Sequence, residues 1–397
     1  MTVTEGKLLV VAQRYGDVAG GAEWHARALV NHLAPHFQIK VATTTASDYW
    51  TWKNDLPIGE ELVDGVTVRR FPVDRGRARD FRRWERAAFD PGRSLEDERR
   101  FIEAQGPVVP ELLEYVASHV TEYDAILFFT YIYYPTAYGV ALAPDRAVLI
   151  PTAHDEPALS LTTYRRVFHS PRAIAYNTAE ERDMVHARFH NERVPNEIIG
   201  VGVERPLDVS GERFRHGFGI EEDPILLYVG RVVQSKGCDQ LFRDFARWKD
   251  DGNGHRGTLV VMGKAEMAIP VRPDIRGIGY ASDADKWDAY DAAAGLVMPS
   301  RLESLSIVAL EAWSAGKPLL CHAGSAVLRS MSRRSGGGLF YRDYDEFGAL
   351  LDLLLSDAGL RAKLGAGGRA FVERTYTWPV VVEKYRDLIA EIRARNA

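Results

Sequence analysis

The sequence predicts an α/β protein built from two doubly wound units, and three observations carry that expectation. Apolar, β-rich runs alternate with helical patterns from one end of the chain to the other. Near-continuous apolar strands interleaved with helices are the pattern of parallel sheets covered on both faces. The alternation restarts at "PILLYVGR" (224–231) after a polar, turn-rich stretch, "GVERPLDVSGERFRHGFGIEED", which puts a joint near residue 205. A length of 397 residues also suits roughly two to three ordinary domains.

In the first unit (1–205), "KLLVVAQ" is the first strand, followed by a Gly-containing loop and the amphipathic "AEWHARALVNHLA". The runs "FQIKVATTT", "VTVRRFPV", "AILFFT", "AVLIPTA" and "AIAYNT" supply further strands. The second unit (206–375) continues from "PILLYVGR" through "GTLVVMG", "DIRGIGY", "AGLVMPS" and "KPLLCHA", and a last helix occupies 376–397. Residues 125–144 are uncharged and approach the length of a membrane span. Pro135 interrupts them, however, and Tyr131, Tyr133, Tyr134 and Tyr138 would lie near the bilayer centre. They read instead as a strand, an aromatic loop and a short helix. Ligands of such sheets bind at the carboxyl ends of strands, so the cleft between the units is the expected site.

Composition narrows the function classes. A chain with 46% hydrophobic and 26% charged residues is a soluble globular protein. A net charge of -5 gives no support to nucleic-acid binding. Two cysteines, Cys238 and Cys321, exclude a disulfide framework and a four-thiolate zinc site, and fit a cytoplasmic protein. The opening "MTVTEGKLLVVAQ" has neither a basic start nor a long apolar run, so no signal peptide is expected. Residues 69–86 hold eight arginines against three acids, with Phe71, Phe81 and Trp84 interleaved. They read as a solvated surface, or as a patch meeting an anionic acceptor or the inner face of the cell membrane.

The chemistry concentrates in "MPSRLESLSIVALEAWSAGKPLL" (298–320), where Glu303 and Glu311 stand among small and apolar residues. Glu is rarely buried without a partner. The apolar pattern predicts a helix from Leu305 to Ala315, closed by Gly316 and Pro318. Its first turn carries no acid, so its open amides form a site for phosphate. Glu303 precedes the helix, where it can meet a ligand beside that phosphate. Glu311, about two turns inside, can accept hydrogen bonds from vicinal hydroxyls such as those of ribose. Asp283-Ala284-Asp285 has the spacing of a divalent-cation site, but Ser282 precedes it and a helical run follows. Capping and the helix dipole account for these acids without a metal.

With Pro299, Ser300, Glu303, Ser304, Glu311, Ala312, Gly316 and Pro318, this segment resembles the signature of glycosyltransferase family 4. These are retaining nucleotide-sugar enzymes of GT-B fold. Ser306 departs from the pattern, where the family commonly has Gly. The resemblance implies two Rossmann-like domains facing across a cleft, with the last helix crossing back to the first. It also implies a metal-independent transfer of a hexosyl group from a UDP- or GDP-linked sugar to a hydroxyl of a glycan, lipid-linked or small-molecule acceptor.

Further segments extend the resemblance. "LLYVGRVVQSKGCDQLF" is similar to the family's strand-Gly-Arg…Lys-Gly segment, which implies Gly230, Arg231 and Lys236 at the donor diphosphate. Two fixed cations there would offset the charge of the leaving group. Gly263 in "VVMGK" and Ile278 and Tyr280 in "DIRGIGY" resemble the strand ends that frame the base. Ser304, Leu305, Ser306 and Glu311 complete the implied donor site. In the first unit, Gly20 and Gly21 resemble the family's Gly-Gly-x-Glu loop, and "VLIPTAHDEPAL" its acceptor-side histidine, here His154, with Asp155 following. Tyr131, Tyr133 and Tyr134 are candidates for an acceptor platform, since aromatic faces suit sugar rings. Two alternatives stand beside transfer: a nucleotide-sugar 2-epimerase of the same broad fold, and a silent subunit that only binds sugar nucleotide or glycan.

Overall fold

The computed structural model describes residues 4–18, 20–220, 224–252 and 256–396. The chain divides into two compact units, Met1–Val201 with Val381–Ala397, and Gly202–Val380. The sequence set the joints at 205 and 376; the chain changes unit a few residues from each. The long last helix, Trp378–Asn396, therefore begins in the second unit and ends in the first. There Lys384 donates to the Ile198 carbonyl at 2.6 Å and Arg386 pairs with Glu5 at 2.7 Å.

The first unit holds an eight-stranded sheet. Its strands are β1 (Lys7–Val11), β2 (Gln38–Thr44), β3 (Gly59–Val63), β4 (Val66–Phe71), β5 (Ala125–Phe129), β6 (Ala147–Ile150), β7 (Ala173–Tyr176) and β8 (Asn196–Ile198). The order is β3-β4-β2-β1-β5-β6-β7-β8, and only β3 runs antiparallel to its neighbour. Every residue of β5, β6 and β7 is buried, as a sheet covered on both faces requires.

The second unit holds six parallel strands: β9 (Ile225–Val229), β10 (Thr258–Met262), β11 (Ile275–Gly279), β12 (Ala293–Met298), β13 (Leu319–His322) and β14 (Gly338–Tyr341). The order β11-β10-β9-β12-β13-β14 is the doubly wound arrangement with its reversal between β9 and β12.

Three strands were not expected from sequence. β3 is a polar edge with an exposed middle, "EEL", so no apolar run marks it. It pairs through Val63 and Val66 across Asp64-Gly65, both at positive φ (52° and 79°), the turn such a hairpin needs. β8 has three residues, and β14 follows a run of glycines. Residues 125–144 form β5, a loop and the helix Tyr134–Gly139. Among the described residues, no helix is long and apolar enough to cross a membrane.

Candidate functional site

Parallel strands end on the same edge, so the loops after β9, β10, β11 and β12 gather there. Gly230, Arg231 and Lys236 follow β9, Gly263 follows β10, Ile278 and Tyr280 lie at the end of β11, and Glu303–Ser306 follow β12. The residues predicted for the donor from the second half of the sequence thus flank the reversal between β9 and β12. The loops touch closely enough to need glycine at two points. A side chain at Gly263 would collide with the Gly230 carbonyl, and one at Gly237 would stand 2.7 Å from the Pro299 carbonyl oxygen.

The Gly237 contact seats the short turn Gln234–Lys236 against the loop after β12. Lys236 Nζ then reaches Glu303 Oε1 at 2.7 Å, with side-chain exposures of 31% and 10%. An ammonium has three donors; one goes to Glu303, and two remain for other acceptors. Arg231 is half exposed, its Nη1 3.9 Å from Glu266 Oε1, while its carbonyl accepts the Tyr228 hydroxyl at 2.7 Å. Tyr280 is exposed and Ile278 partly so.

The helix after β12 begins two residues later than expected, at Ile307, and runs to Ser314. Ser306 stands before it at φ 89°, in the left-handed region, and makes no side-chain capping bond. Ala309 and Leu310 N–H reach the Ser306 carbonyl at 3.2 and 3.3 Å, so the amides of Ile307 and Val308 are the open ones. No acid stands in the first turn.

Glu311 is buried, and protein groups answer both of its oxygens. Lys286 Nζ donates to Oε1 at 2.7 Å and the Tyr290 hydroxyl to Oε2 at 2.8 Å. Burial works against the Lys286 charge, but Glu311 beside it prevails and holds that ammonium's pKa above its ordinary value. Burial, with Glu311 adding to it, raises the Tyr290 hydroxyl far above its usual range. Neither partner was singled out from sequence. Each carboxylate oxygen keeps a second lone pair, but Glu311 is only 3% exposed. Asp285 caps its own helix reciprocally with Ser282, and Asp283 lies 3.3 Å from Lys286.

In the first unit, β1, β5 and β6 are neighbours, and the remaining predicted residues follow their carboxyl ends. Gly20 precedes, and Gly21 begins, the helix Gly21–Leu33. Glu23 in its first turn pairs with buried Arg14 at 2.5 Å. His154 follows β6, half-buried, its Nδ1 enclosed without a hydrogen-bond partner.

The His154 loop is pinned on both sides. The Ala153 N–H donates to Glu181 Oε1 at 2.5 Å and the Asn177 N–H to Glu181 Oε2 at 2.7 Å. Beyond the loop, the N–H groups of Thr162 and Thr163 donate to buried Glu98 at 3.0 and 2.8 Å. Burial pushes Glu181 up to about 8 despite these donors. Sequence reasoning missed Glu181 and Glu98, whose anchoring partners lie mostly far away along the chain. The Thr178…Glu181 spacing of a helix start was the one local signal.

The acceptor platform needs correction. Tyr131 is 1% exposed, its hydroxyl donates to Glu156 at 2.9 Å, and its ring packs on Tyr164 and Phe168. It belongs to the core and offers no face. Tyr133 is partly buried, edge-on to Trp52, and Tyr134 packs at a tilt against Tyr138. Asp155 is exposed, 3.8 Å from Arg188.

Residues 211–371 match the family described as Glycosyl transferases group 1. Over those residues the second unit is similar to the glycosyltransferases of that family. A D-inositol 3-phosphate glycosyltransferase of Frankia alni is 26% identical over 385 residues, covering 89% of this chain and 91% of that protein. An uncharacterised glycosyltransferase of Methanocaldococcus jannaschii is 24% identical over 247 residues, 58% of this chain. The chain spans only 62% of that relative's length. Among solved structures, Anabaena HepE in complex with UDP-glucose superposes with a TM-score of 0.70 at 13% identity, covering 97% of this chain and all of that one. The fold is GT-B.

Proposed function

We propose that this protein moves a hexosyl group, with retention and without a metal, from a UDP- or GDP-linked sugar to a hydroxyl of a glycan, glycolipid or small-molecule acceptor. The observation that carries the reading is the Lys236–Glu303 pair at 2.7 Å beside a helix start whose first amides are open. A cation with spare donors and unpaired amides suit a diphosphate. The relatives named as glycosyltransferases and the UDP-glucose complex of a protein of the same fold support the donor class.

In this reading Arg231 and Lys236 take the charge that grows on the diphosphate as the sugar–phosphate bond breaks. The acceptor oxygen bonds to the anomeric carbon on the same face, and its proton passes to a phosphate oxygen. Glu303 acts at the transferred sugar, and by the resemblance His154 and the Gly20–Gly21 loop are the first unit's contribution to substrate binding. Gly230, Gly263, Ile278 and Tyr280 frame the nucleotide, and Glu311 accepts from ribose through its remaining lone pairs. The exposed arginines of 69–86 would hold the protein at an anionic membrane surface on the cytoplasmic side.

Thermal melts with UDP-glucose, GDP-mannose and ADP-glucose, each with and without EDTA, test this directly. A ligand at 100 times its Kd stabilises by about 2.7 kcal/mol, a rise readily seen. We expect one nucleotide class to raise the melting temperature, equally with EDTA present, and that sugar to be turned over in EDTA once an acceptor is supplied. No stabilisation by any sugar nucleotide removes the reading. Turnover lost to EDTA and restored by magnesium removes its metal-free form, and an altered free sugar without acceptor favours the epimerase.

A further inference from the structure

The second sheet ends at β14, and a cavity of about 570 Å³ lies at the carboxyl ends of β13 and β14. Small-molecule sites commonly measure roughly 300–1,000 Å³. Ala323, just after β13, and Phe340 of β14 line the cavity together with Leu350 of the helix Tyr344–Ser356. Three exposed arginines line it too: Arg329 and Arg333 of the helix Ala326–Ser335, and Arg342 just after β14. The donor residues follow other strands, so the reading above makes no use of this place.

The charge here is not balanced within the protein. Glu346 is the one acid in the lining, and Arg342 holds it through Nε at 2.9 Å and the backbone N–H at 2.8 Å. Among the described residues, no carboxylate pairs with Arg329 or Arg333. Arg329 gives one of its five donors to the Ala323 carbonyl at 3.2 Å. Arg333 lies over the Phe340 ring, 5.2 Å from its centre, and makes no hydrogen bond to a described residue. The two stand four positions apart in a helix that contains no acid, so like charges share one face and repel. The helix dipole favours cations in the last turn, which suits Arg333. It disfavours Arg329, close to the start.

We propose that this cavity binds a small soluble phosphate monoester, its phosphate on Arg329 and Arg333 and its apolar part against Phe340 and Leu350. A phosphomonoester carries a charge of about -1.5 to -2 at pH 7, which matches the two guanidiniums left without a carboxylate. Guanidinium forks also suit phosphate oxygens through paired N–H bonds. The apolar lining adds a preference for an ester over bare phosphate. Because the cavity is built on β13, β14 and their helices, the inference stands independently of the donor reading.

Calorimetric titration of the full-length protein with phenyl phosphate and with inorganic phosphate tests this. Phenyl phosphate should bind several-fold more tightly than inorganic phosphate and raise the melting temperature. R329Q/R333Q should bind it about ten-fold or more weakly, the scale of hydrogen bonds to a charged group, and should melt near the parent. If that double variant melts well below the parent, R333Q carries the test, since the Arg333 side chain makes no hydrogen bond within the described protein. K236A marks the diphosphate site and should leave phenyl phosphate affinity as it is in the parent. No binding of phenyl phosphate at millimolar concentration removes the proposal, as does equal affinity for the two phosphates. Loss of binding in K236A with none in the arginine variants assigns the anion to the loops after β9 and β12 and also overturns it. Capture on phosphatidic acid vesicles without binding of phenyl phosphate would make this face a lipid contact instead.

Discussion

Glu303 and Glu311 stand eight positions apart, yet they are held in different ways and should fail differently. Lys236, the partner of Glu303, is 31% exposed and can turn to water when the carboxylate is removed. Lys286, the partner of Glu311, is 18% exposed, and loss of the carboxylate would leave its ammonium only the exposed Asp283, 3.3 Å away. Breaking a buried pair from one side costs about 3–5 kcal/mol. Glu311→Ala should therefore lower the melting temperature by several degrees and weaken donor binding. Glu303→Ala should melt close to the parent but lose about 10²-fold or more in kcat, on the scale of single electrostatic groups. Melts and steady-state kinetics with the preferred donor decide between them. Equal melting of both variants would contradict the division of roles, and unchanged turnover in Glu303→Ala would remove it from the chemistry. The sequence marked both carboxylates as anomalies in an apolar run. Their partners were not legible, because Lys286 lies 25 residues and Lys236 67 residues back, brought near only by the packing of strand ends.

Among the elements, strands whose burial is complete were legible and those defined by pairing were not. β5, β6 and β9 are apolar runs and β10 is one after Thr258, all fully buried, and their sequence says so. β3 exists because β4 offers it an edge, and its own residues are mostly polar. The same limit applies to the loop after β6. His154 could be picked out from its neighbours in sequence, but the groups fixing the loop come from other elements. Glu181 joins the ends of β6 and β7 through two backbone amides and is pushed up to about 8 by burial. Its folded pKa lies above the unfolded one, near 4.5, so the native state binds the extra proton. Stability from this group is then complete below pH 4.5 and is lost as pH rises through about 8. His25 acts oppositely: burial lowers it to about 3, so its contribution falls as pH drops below 6.5. The clean window is therefore pH 6.5–8, where we expect stability to decline toward alkaline pH. Glu181→Gln should be less stable outright, since its amide nitrogen cannot accept a backbone N–H. It should also lose the Glu181 share of that decline, at most about 1.4 kcal/mol per pH unit. Denaturant melts at several pH values check this, and an equal slope in both proteins would contradict it.

For the whole molecule, the informative quantity is where its charge lies. A chain of net charge -5 is repelled on average by an anionic surface, so membrane contact requires a local cationic patch that overcomes that repulsion. Of the eight arginines in 69–86, the fold has already committed several. Arg70 is buried, paired with Glu61 and bonded to the Tyr15 and Thr44 carbonyls. Arg77 stacks between Trp50 and Phe81, and Arg69 lies over Phe71 and Tyr115. The exposed remainder is Arg75, Arg79, Arg82, Arg83 and Arg86, near half-exposed Trp50 and on or beside the helix Phe81–Ala88. Arg82 is shared with Glu85 at 2.6 Å, an exposed pair worth little that an anionic surface can outbid. At about 1 kcal/mol for each basic residue near an anionic leaflet, these groups give weak, reversible attachment that salt should abolish. Sedimentation with phosphatidylserine vesicles should therefore carry the protein down at low salt and release it as salt rises. Neutral vesicles should leave it in solution, and R82E/R83E should bind neither kind while melting like the parent. Equal binding to both kinds of vesicle, or binding that survives R82E/R83E, would mean that this face is an ordinary solvated surface and that any attachment lies elsewhere.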